Sequence, residues 1–279
     1  MKLVTFGCSW IYGDELGDLS TEYRNTHNLG YLIYNENRDK FTEYINYGGN
    51  GASNERIILQ ILEYTNSSDY SKDDVIVVGL TSLARKLDYL NFYKFTLTLP
   101  SWQDLHLSSL SYGTDQLFRK WFDLTGYFLL NSRNELKRYM VNCLSIKSLI
   151  ADNPCVVFQS IDNVNSVFNQ DDNMDGDGNW NHVILHKYTT KTNTEEAVSS
   201  DDFVNKDIHQ NELYKNLNNN QLWLNFKMDS WQTFLNKLYS TNTDIKYFAS
   251  DWNLHPSEIG IEVWYQDVIK KYIDKILDI

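Results

Sequence analysis

Polar side chains that could cooperate in acyl transfer follow the first apolar segment of the chain and stand again near its end. Ser9 comes directly after the run KLVTFG and Cys8, while Asp251 and His255 stand in the segment SDWNLHPSEIG. A serine hydroxyl becomes a useful nucleophile when a histidine takes its proton. That histidine in turn needs a partner, commonly a carboxylate, to hold its tautomer. The residue types therefore fit covalent catalysis by an activated serine.

A glycine-rich turn could supply part of the stabilisation that such a reaction needs. The segment NYGGNGAS, residues 46–53, follows a second apolar run. The oxyanion of a tetrahedral intermediate requires donors that are in place before reaction, commonly backbone N–H groups. The N–H of Ser9, at the start of a predicted helix, and the N–H of Gly51, in this turn, are suitable candidates.

The elements that must position these residues alternate along the chain. The segments KLVTFG, EYINYG, DDVIVVGL and PCVVFQSI predict buried strands. Apolar spacing predicts helices in NERIILQILEYTN, NELKRYMVNCLSIKSLIAD, MDSWQTFLNKLYS and EIGIEVWYQDVIKKYIDKI. This alternation indicates an α/β fold, a parallel sheet with helices on both faces. Ligands bind beyond the carboxyl ends of such strands, where Ser9, the glycine turn and the segment GLTS at 79–82 all fall.

Three short blocks, in this order, resemble the SGNH (GDSL-like) hydrolase family. The first, Gly-Asp-Ser-Leu in that family, is similar to GCSW at 7–10 followed by Gly13; the second, Asn-x-Gly-x-x-Gly, is similar to NYGGNG at 46–51. The last, an Asp shortly before His-Pro, is similar to Asp251 with His255 and Pro256. The spelling of the blocks is most like variants found in tailed-phage genomes.

The resemblance implies a fold and a set of roles. The fold is a flavodoxin-like, three-layer α/β/α domain. Ser9 is the nucleophile, His255 the base, Asp251 its orienting partner, and the N–H groups of Ser9 and Gly51 are oxyanion donors. Asp251 lies four residues before His255, whereas the family usually spaces the pair by two or three.

The family has a further block, between the second and the last, whose pattern this chain does not match. The family has Gly-x-Asn there, and the asparagine is an oxyanion donor; this chain has Gly79-Leu80-Thr81. The Thr81 hydroxyl is therefore the expected third donor. Ser82, Asn50 and Asn54 are the alternatives for that role.

Two segments without clear periodicity interrupt the alternation. We predict one domain over residues 1–279, with insertions at about 86–130 and 161–225 above the sheet, where substrate-shaping loops lie. The insertions are rich in Asn, Asp and aromatic residues, among them Trp102, Trp121, Trp180 and Trp223.

Such side chains suit a sugar, so the expected substrate is a small-molecule or glycan ester and the expected reaction is removal of O-acetyl groups from a carbohydrate. A lipase or thioesterase is the alternative within the fold. A non-catalytic glycan-binding or virion structural module is the alternative from another class.

Composition and motifs exclude several other classes. The formal net charge of −12 argues against nucleic-acid binding, and no apolar run is long enough for a membrane span. The chain starts as a strand rather than a signal peptide, which predicts cytoplasmic synthesis; the phage resemblance adds virion association. The pentapeptide Gly-x-Ser-x-Gly of α/β-hydrolases does not occur. The sequence leaves the oligomeric state open.

No cofactor or metal is expected. The three cysteines at scattered spacing indicate neither a disulfide framework nor a zinc site. The segment DDNMDGDGNWNH at 171–182 has the spacing of a calcium loop, but its twelfth position is His182 instead of glutamate. A solvated acidic loop is the better interpretation. His182 and His186 lie four residues apart and lack a third ligand.

Overall fold

The computed structural model describes residues 1–16, 20–81, 85–90, 101–106, 132–161, 230–249 and 255–278, with backbone alone at 85–90, 101–106 and 132–137. Its central element is a parallel sheet made of β1 (Lys2–Gly7), β2 (Glu43–Asn46), β3 (Val75–Leu80) and β6 (Cys155–Gln159). The strand order is β2-β1-β3-β6. Counted among the parallel strands alone, this is the flavodoxin-like order 2-1-3-4. All four predicted strands are confirmed.

Helices cover both faces of this sheet. They are α1 (Ser9–Tyr12), α2 (Thr21–His27), α3 (Leu29–Glu36), α4 (Asn54–Thr65), α5 (Ser132–Leu149), α6 (Trp231–Thr241), α7 (Glu258–Trp264) and α8 (Lys270–Ile276), with a π-helical turn at Tyr265–Ile269 between the last two. In the described part of the chain, no helix has the length and apolar character needed to cross a membrane.

Alternate side chains of the strands enter two separate cores. On β1, Leu3 packs in the core formed with α3, α6 and α7, while Val4 and Phe6 pack in the core formed with α4 and α5. The strands β3 and β6 alternate in the same way. Side chains of a strand point to opposite faces in turn, so a strand buried on both faces is apolar throughout. The predicted three-layer α/β/α arrangement is confirmed.

Serine caps fix the start of several helices. The side chain of Ser53 accepts a hydrogen bond from the N–H of Arg56, which makes Ser53, and not Asn54, the cap of α4. Ser257 caps α7 in the same way by accepting from the N–H of Gly260. Each cap satisfies one of the N–H groups that a helix start leaves unpaired.

Several parts of the fold were not predicted from the sequence, among them the helices α2 and α3. The helix α2 buries no residue, so it lacks the apolar period on which such a prediction depends. Another unpredicted part is an antiparallel hairpin of β4 (Arg85–Leu90) and β5 (Ser101–His106), which lies largely within the first predicted insertion. The insertions and the single-domain assignment remain predictions.

The helix that begins at Ser9 lies unusually close to the sheet. A Cβ added to Gly7 would stand 2.4 Å from Cγ1 of Ile11 and 2.8 Å from the carbonyl oxygen of Gly79. A Cβ added to Gly79 would stand 2.6 Å from the same Ile11 atom. Glycines on two paired strands therefore create the space in which α1 packs.

Candidate active site

Ser9 lies at the carboxyl end of β1 and begins α1. Its side chain is buried, and its Oγ has no hydrogen-bond partner among the described residues. The neighbouring Trp10 is also buried and packs edge-on against Trp231, with ring centroids 5.2 Å apart. This contact anchors α1 on the aromatic core of the α6 side. The Ser9 hydroxyl is thus held in place by its neighbours while its own bonding capacity is unused.

The glycine turn after β2 packs against α1. The amide of Asn46 donates to the carbonyl of Ile11 and its Oδ1 accepts from the N–H of Gly48. A Cβ on Gly48 would stand 2.6 Å from the backbone nitrogen of Tyr12, so only glycine permits this approach. Gly51 has a left-handed φ of 70°, and the space around its Cα is open.

A buried hydrogen-bond network among β1, β2 and the start of α3 holds the strand that leads into the glycine turn. The hydroxyl of Thr5 donates to Oδ1 of Asn46, and the phenol of Tyr44 donates to Oδ1 of Asn28 at 2.6 Å. Burial raises the pKa of Tyr44 well above its ordinary value, so the phenol stays protonated and keeps donating. These bonds fix β2, and with it Asn46, against β1 and the start of α3.

Three hydroxyl groups stand at the same level beyond adjacent strands. Gly7 pairs with Gly79, and Gly79 pairs with Phe158, in the sheet register. A hydroxyl residue follows each of these positions by two; they are Ser9, Thr81 and Ser160. All three side chains are buried, and within the part of the chain that the structure describes none of the three hydroxyl oxygens has a hydrogen-bond partner.

Ser160 was not singled out in the sequence. It closes the predicted strand PCVVFQSI and could have been found by inspecting the end of every strand. This edge of the sheet therefore carries a row of hydroxyl groups whose hydrogen-bonding capacity is not used. Such an edge is suited to binding a ligand.

Asn54 has a structural task beside this row. Its Oδ1 accepts from the N–H of Thr81 and its Nδ2 donates to the carbonyl of Thr81, both at 3.0 Å. The amide of Gln159 also donates to that carbonyl. Asn54 therefore fixes the backbone of Thr81, and we do not assign it the oxyanion role. Ser82 lies outside the described residues.

His255 reaches the segment that follows Ser9. Its Nδ1 lies 3.1 Å from Oε1 of Glu15, a residue 240 positions away in the chain. The two side chains are only 14% and 10% exposed. The backbone next to His255 is fixed by a bond from the N–H of Ala249 to the His255 carbonyl and by a bridge between Phe248 and Pro256.

Glu15 is the residue of this site that the sequence analysis missed. It belongs to the stretch GCSWIYGDEL, in which Asp14 and Glu15 follow Gly13. Nothing in the sequence indicates which of these two acids, if either, lies near a histidine. Asp251, the predicted orienting acid, lies outside the described residues, and its role stays a prediction.

Other predicted features also fall outside the described part. They are the acidic segment 171–182 with His182, the residue His186, and the tryptophans Trp121, Trp180 and Trp223; Trp102 is in β5, where only the backbone is described. Within the described ranges, no group of three His, Cys, Asp or Glu side chains is arranged to hold a metal ion. The three cysteines, which all lie within those ranges, are buried and are not in disulfide bonds.

Comparison with known proteins places the geometry in context. No protein-family model matches the chain, and no curated protein matches it either. Among solved structures it is similar to a member of the lipolytic protein G-D-S-L family from Veillonella parvula DSM 2008, with TM-score 0.44 and 13% identity over 97% of this chain and 99% of that one. It is also similar to a structure described as an acylhydrolase from Bacteroides fragilis NCTC 9343, with TM-score 0.38 and 13% identity over 99% and 88%. Both likenesses are at low sequence identity, and the α/β/α fold of this chain is established by its own sheet and the two cores on either side of it.

The Thr81 hydroxyl can be tested as an oxyanion donor. Thr81→Val is expected to lower kcat for ester hydrolysis about tenfold, because a hydroxyl donor is lost while the backbone donors remain; loss of a main donor lowers kcat about 10²–10³-fold. Asn54 holds the backbone of Thr81, so the substitution should leave the turn in place. Steady-state kinetics of Thr81→Val and of Thr81→Ser, the control that keeps the hydroxyl, measure the effect. A change in KM alone would contradict the donor role.

Proposed function

We propose that the protein is a serine ester hydrolase of the SGNH type, with Ser9 as nucleophile and His255 as general base. The observation that carries the proposal is the 3.1 Å contact between His255 Nδ1 and Glu15 Oε1. It brings a histidine from the end of the chain to the segment that contains the buried, unpaired hydroxyl of Ser9. A carboxylate in its ionised form can only accept, so in the proposed active form the proton is on Nδ1 and Nε2 is the proton acceptor.

The proposed reaction follows from these groups. Ser9 Oγ attacks the carbonyl carbon of the ester while His255 Nε2 takes the hydroxyl proton. The oxyanion is stabilised by donors at the strand ends, for which the N–H groups of Ser9 and Gly51 and the hydroxyl of Thr81 are the candidates. His255 then returns the proton to the leaving alcohol, and a water molecule hydrolyses the acyl-enzyme by the same path.

For the substrate we propose an O-acetyl ester of a carbohydrate. The support comes from the sequence, because the segments at 86–130 and 161–225 are rich in aromatic, amide and carboxylate side chains. Aromatic faces combined with such hydrogen-bonding groups suit a sugar better than a long acyl chain. A lipase or thioesterase is the alternative within the same chemistry.

A substrate panel and a covalent probe test the proposal together. We expect release of acetate from p-nitrophenyl acetate and from an O-acetylated polysaccharide, and a fluorophosphonate adduct that mass spectrometry locates on Ser9. Faster hydrolysis of p-nitrophenyl octanoate or of an acyl thioester would contradict the carbohydrate assignment and favour the alternative. The absence of both turnover and labelling would contradict hydrolysis altogether.

One observation favours a second candidate, a non-catalytic glycan-binding module on a hydrolase fold. Ser9 Oγ has no hydrogen-bond partner in this structure, so it is not bonded to His255. Catalytic hydrogen bonds are often long before substrate binds, which is why we favour the enzyme. Binding of an acetylated polysaccharide without acetate release would favour the module.

A further inference from the structure

We propose that Glu15 is the residue that positions His255, in the role that the family resemblance implied for Asp251. The inference rests on the proposed function, because a positioning residue has a role only if His255 acts as a base. The orienting carboxylate then comes from the segment that follows Ser9, and not from the segment that precedes His255.

The contact has the geometry that the role requires. Glu15 Oε1 lies 3.1 Å from the ring nitrogen Nδ1, the atom opposite the one that would face the serine. The carboxylate accepts from Nδ1–H and thereby fixes both the tautomer and the rotation of the ring. Within the described residues, Glu15 is the ionisable side chain recorded in contact with His255.

The burial of Glu15 argues that this contact is more than a surface ion pair. The side chain is 10% exposed, and its second oxygen, Oε2, is buried without a hydrogen-bond partner. A buried carboxylate is unfavourable unless a nearby group compensates its charge. When His255 takes the proton of Ser9 it becomes an imidazolium beside this carboxylate, so the compensation is greatest at the step where the reaction needs it.

The backbone places Glu15 and Ser9 in one rigid unit. The carbonyl of Ser9 accepts hydrogen bonds from the N–H groups of Gly13 and Asp14, the two residues just before Glu15. Gly13 and Glu15 both have a left-handed backbone, with φ of 77° and 66°. This conformation is uncommon for a residue other than glycine and is retained where the surrounding structure enforces it. The turn that ends α1 thus turns Glu15 back toward His255 while holding Ser9.

Kinetics of matched variants tests the positioning role. Glu15→Gln keeps the size of the side chain but removes the charge, and its amide can stabilise the wrong tautomer. We expect kcat for p-nitrophenyl acetate to fall about 10²- to 10⁴-fold with little change in KM. Asp14→Asn, the control at the neighbouring acid, should retain activity within about fivefold.

A second variant separates this role from a structural one. Glycine adopts the left-handed backbone without strain, so Glu15→Gly should unfold at a denaturant midpoint no lower than wild type while losing activity as Glu15→Gln does. The ¹⁵N NMR spectrum of the histidine rings gives a readout without turnover. The Nδ1–H signal of His255 should be present in wild type and weakened or lost in both Glu15 variants.

The outcomes distinguish the two proposals. If wild type labels at Ser9 with the fluorophosphonate and Glu15→Gln keeps its kcat, the assignment of Glu15 is overturned and the esterase stands. If Asp251→Asn carries the large loss instead, the orienting acid is Asp251. If wild type neither labels nor hydrolyses ester, the proposed function is overturned, and with it any catalytic role of Glu15.

Discussion

Ser9→Ala is expected to lower kcat for ester hydrolysis by about 10⁴-fold or more and to abolish fluorophosphonate labelling. The loss is this large because the proposed acyl-enzyme forms on Ser9 Oγ. The substitution should not lower stability, because Ser9 Oγ is buried without a partner, and removal of an unpaired polar group leaves no other group unsatisfied. Active-site labelling, steady-state kinetics and denaturant unfolding of the same preparation measure the three effects.

Ser160→Ala is a matched control for this experiment. Its hydroxyl is also buried, is also unpaired, and stands at the same register level two strands away. We expect the variant to keep labelling and to lose less than about tenfold in kcat. Equal losses in the two serine variants would contradict the assignment of Ser9 as the nucleophile.

His255→Gln is expected to lower kcat by about 10⁴-fold at neutral pH, because glutamine retains a polar side chain but cannot take the serine proton. Glu15 would then be left buried with its charge uncompensated, so some loss of stability is also expected. Rates measured across a range of pH, with the denaturant midpoint recorded for the same protein, separate these two consequences.

His27→Gln is the control for the histidine substitution. His27 stacks on Tyr23 at the end of α2, with its Nδ1 against the Tyr23 carbonyl, and has no recorded contact with Ser9 or Glu15. Its activity should stay within about twofold of wild type. A His255→Gln variant as active as His27→Gln would exclude His255 as the base.

The pattern of apolar residues was sufficient to predict the framework. Segments such as DDVIVVGL and PCVVFQSI are apolar throughout, since strands covered by helices on both faces bury every side chain. The start of α4 is marked in the sequence by Ser53 and Asn54, either of which can cap a helix, and the cap in the structure is Ser53. The apolar pattern also predicts that Ser9 and Thr81 stand at strand ends, because their positions depend only on where each strand stops.

Features with no local apolar signal could not be predicted in this way. The helix α2 buries no residue, and the π-helical turn at Tyr265–Ile269 interrupts a segment whose apolar spacing predicts one continuous helix. Asn54 was considered as an oxyanion donor from its position in a polar turn. Its actual partner is the backbone of Thr81, 27 residues away, and a backbone partner leaves no trace in the sequence.

The sequence by itself determined the strands, most of the helices and the residues that stand at the carboxyl edge of the sheet, because each depends on short-range spacing and burial. Only the tertiary structure shows that Glu15 lies against His255. The contact joins residues 240 positions apart and depends on how the turn after α1 folds back. That turn has a left-handed backbone at Gly13 and Glu15 and is held by the bonds of the Gly13 and Asp14 N–H groups to the Ser9 carbonyl, and none of these features has an apolar pattern that the sequence would display.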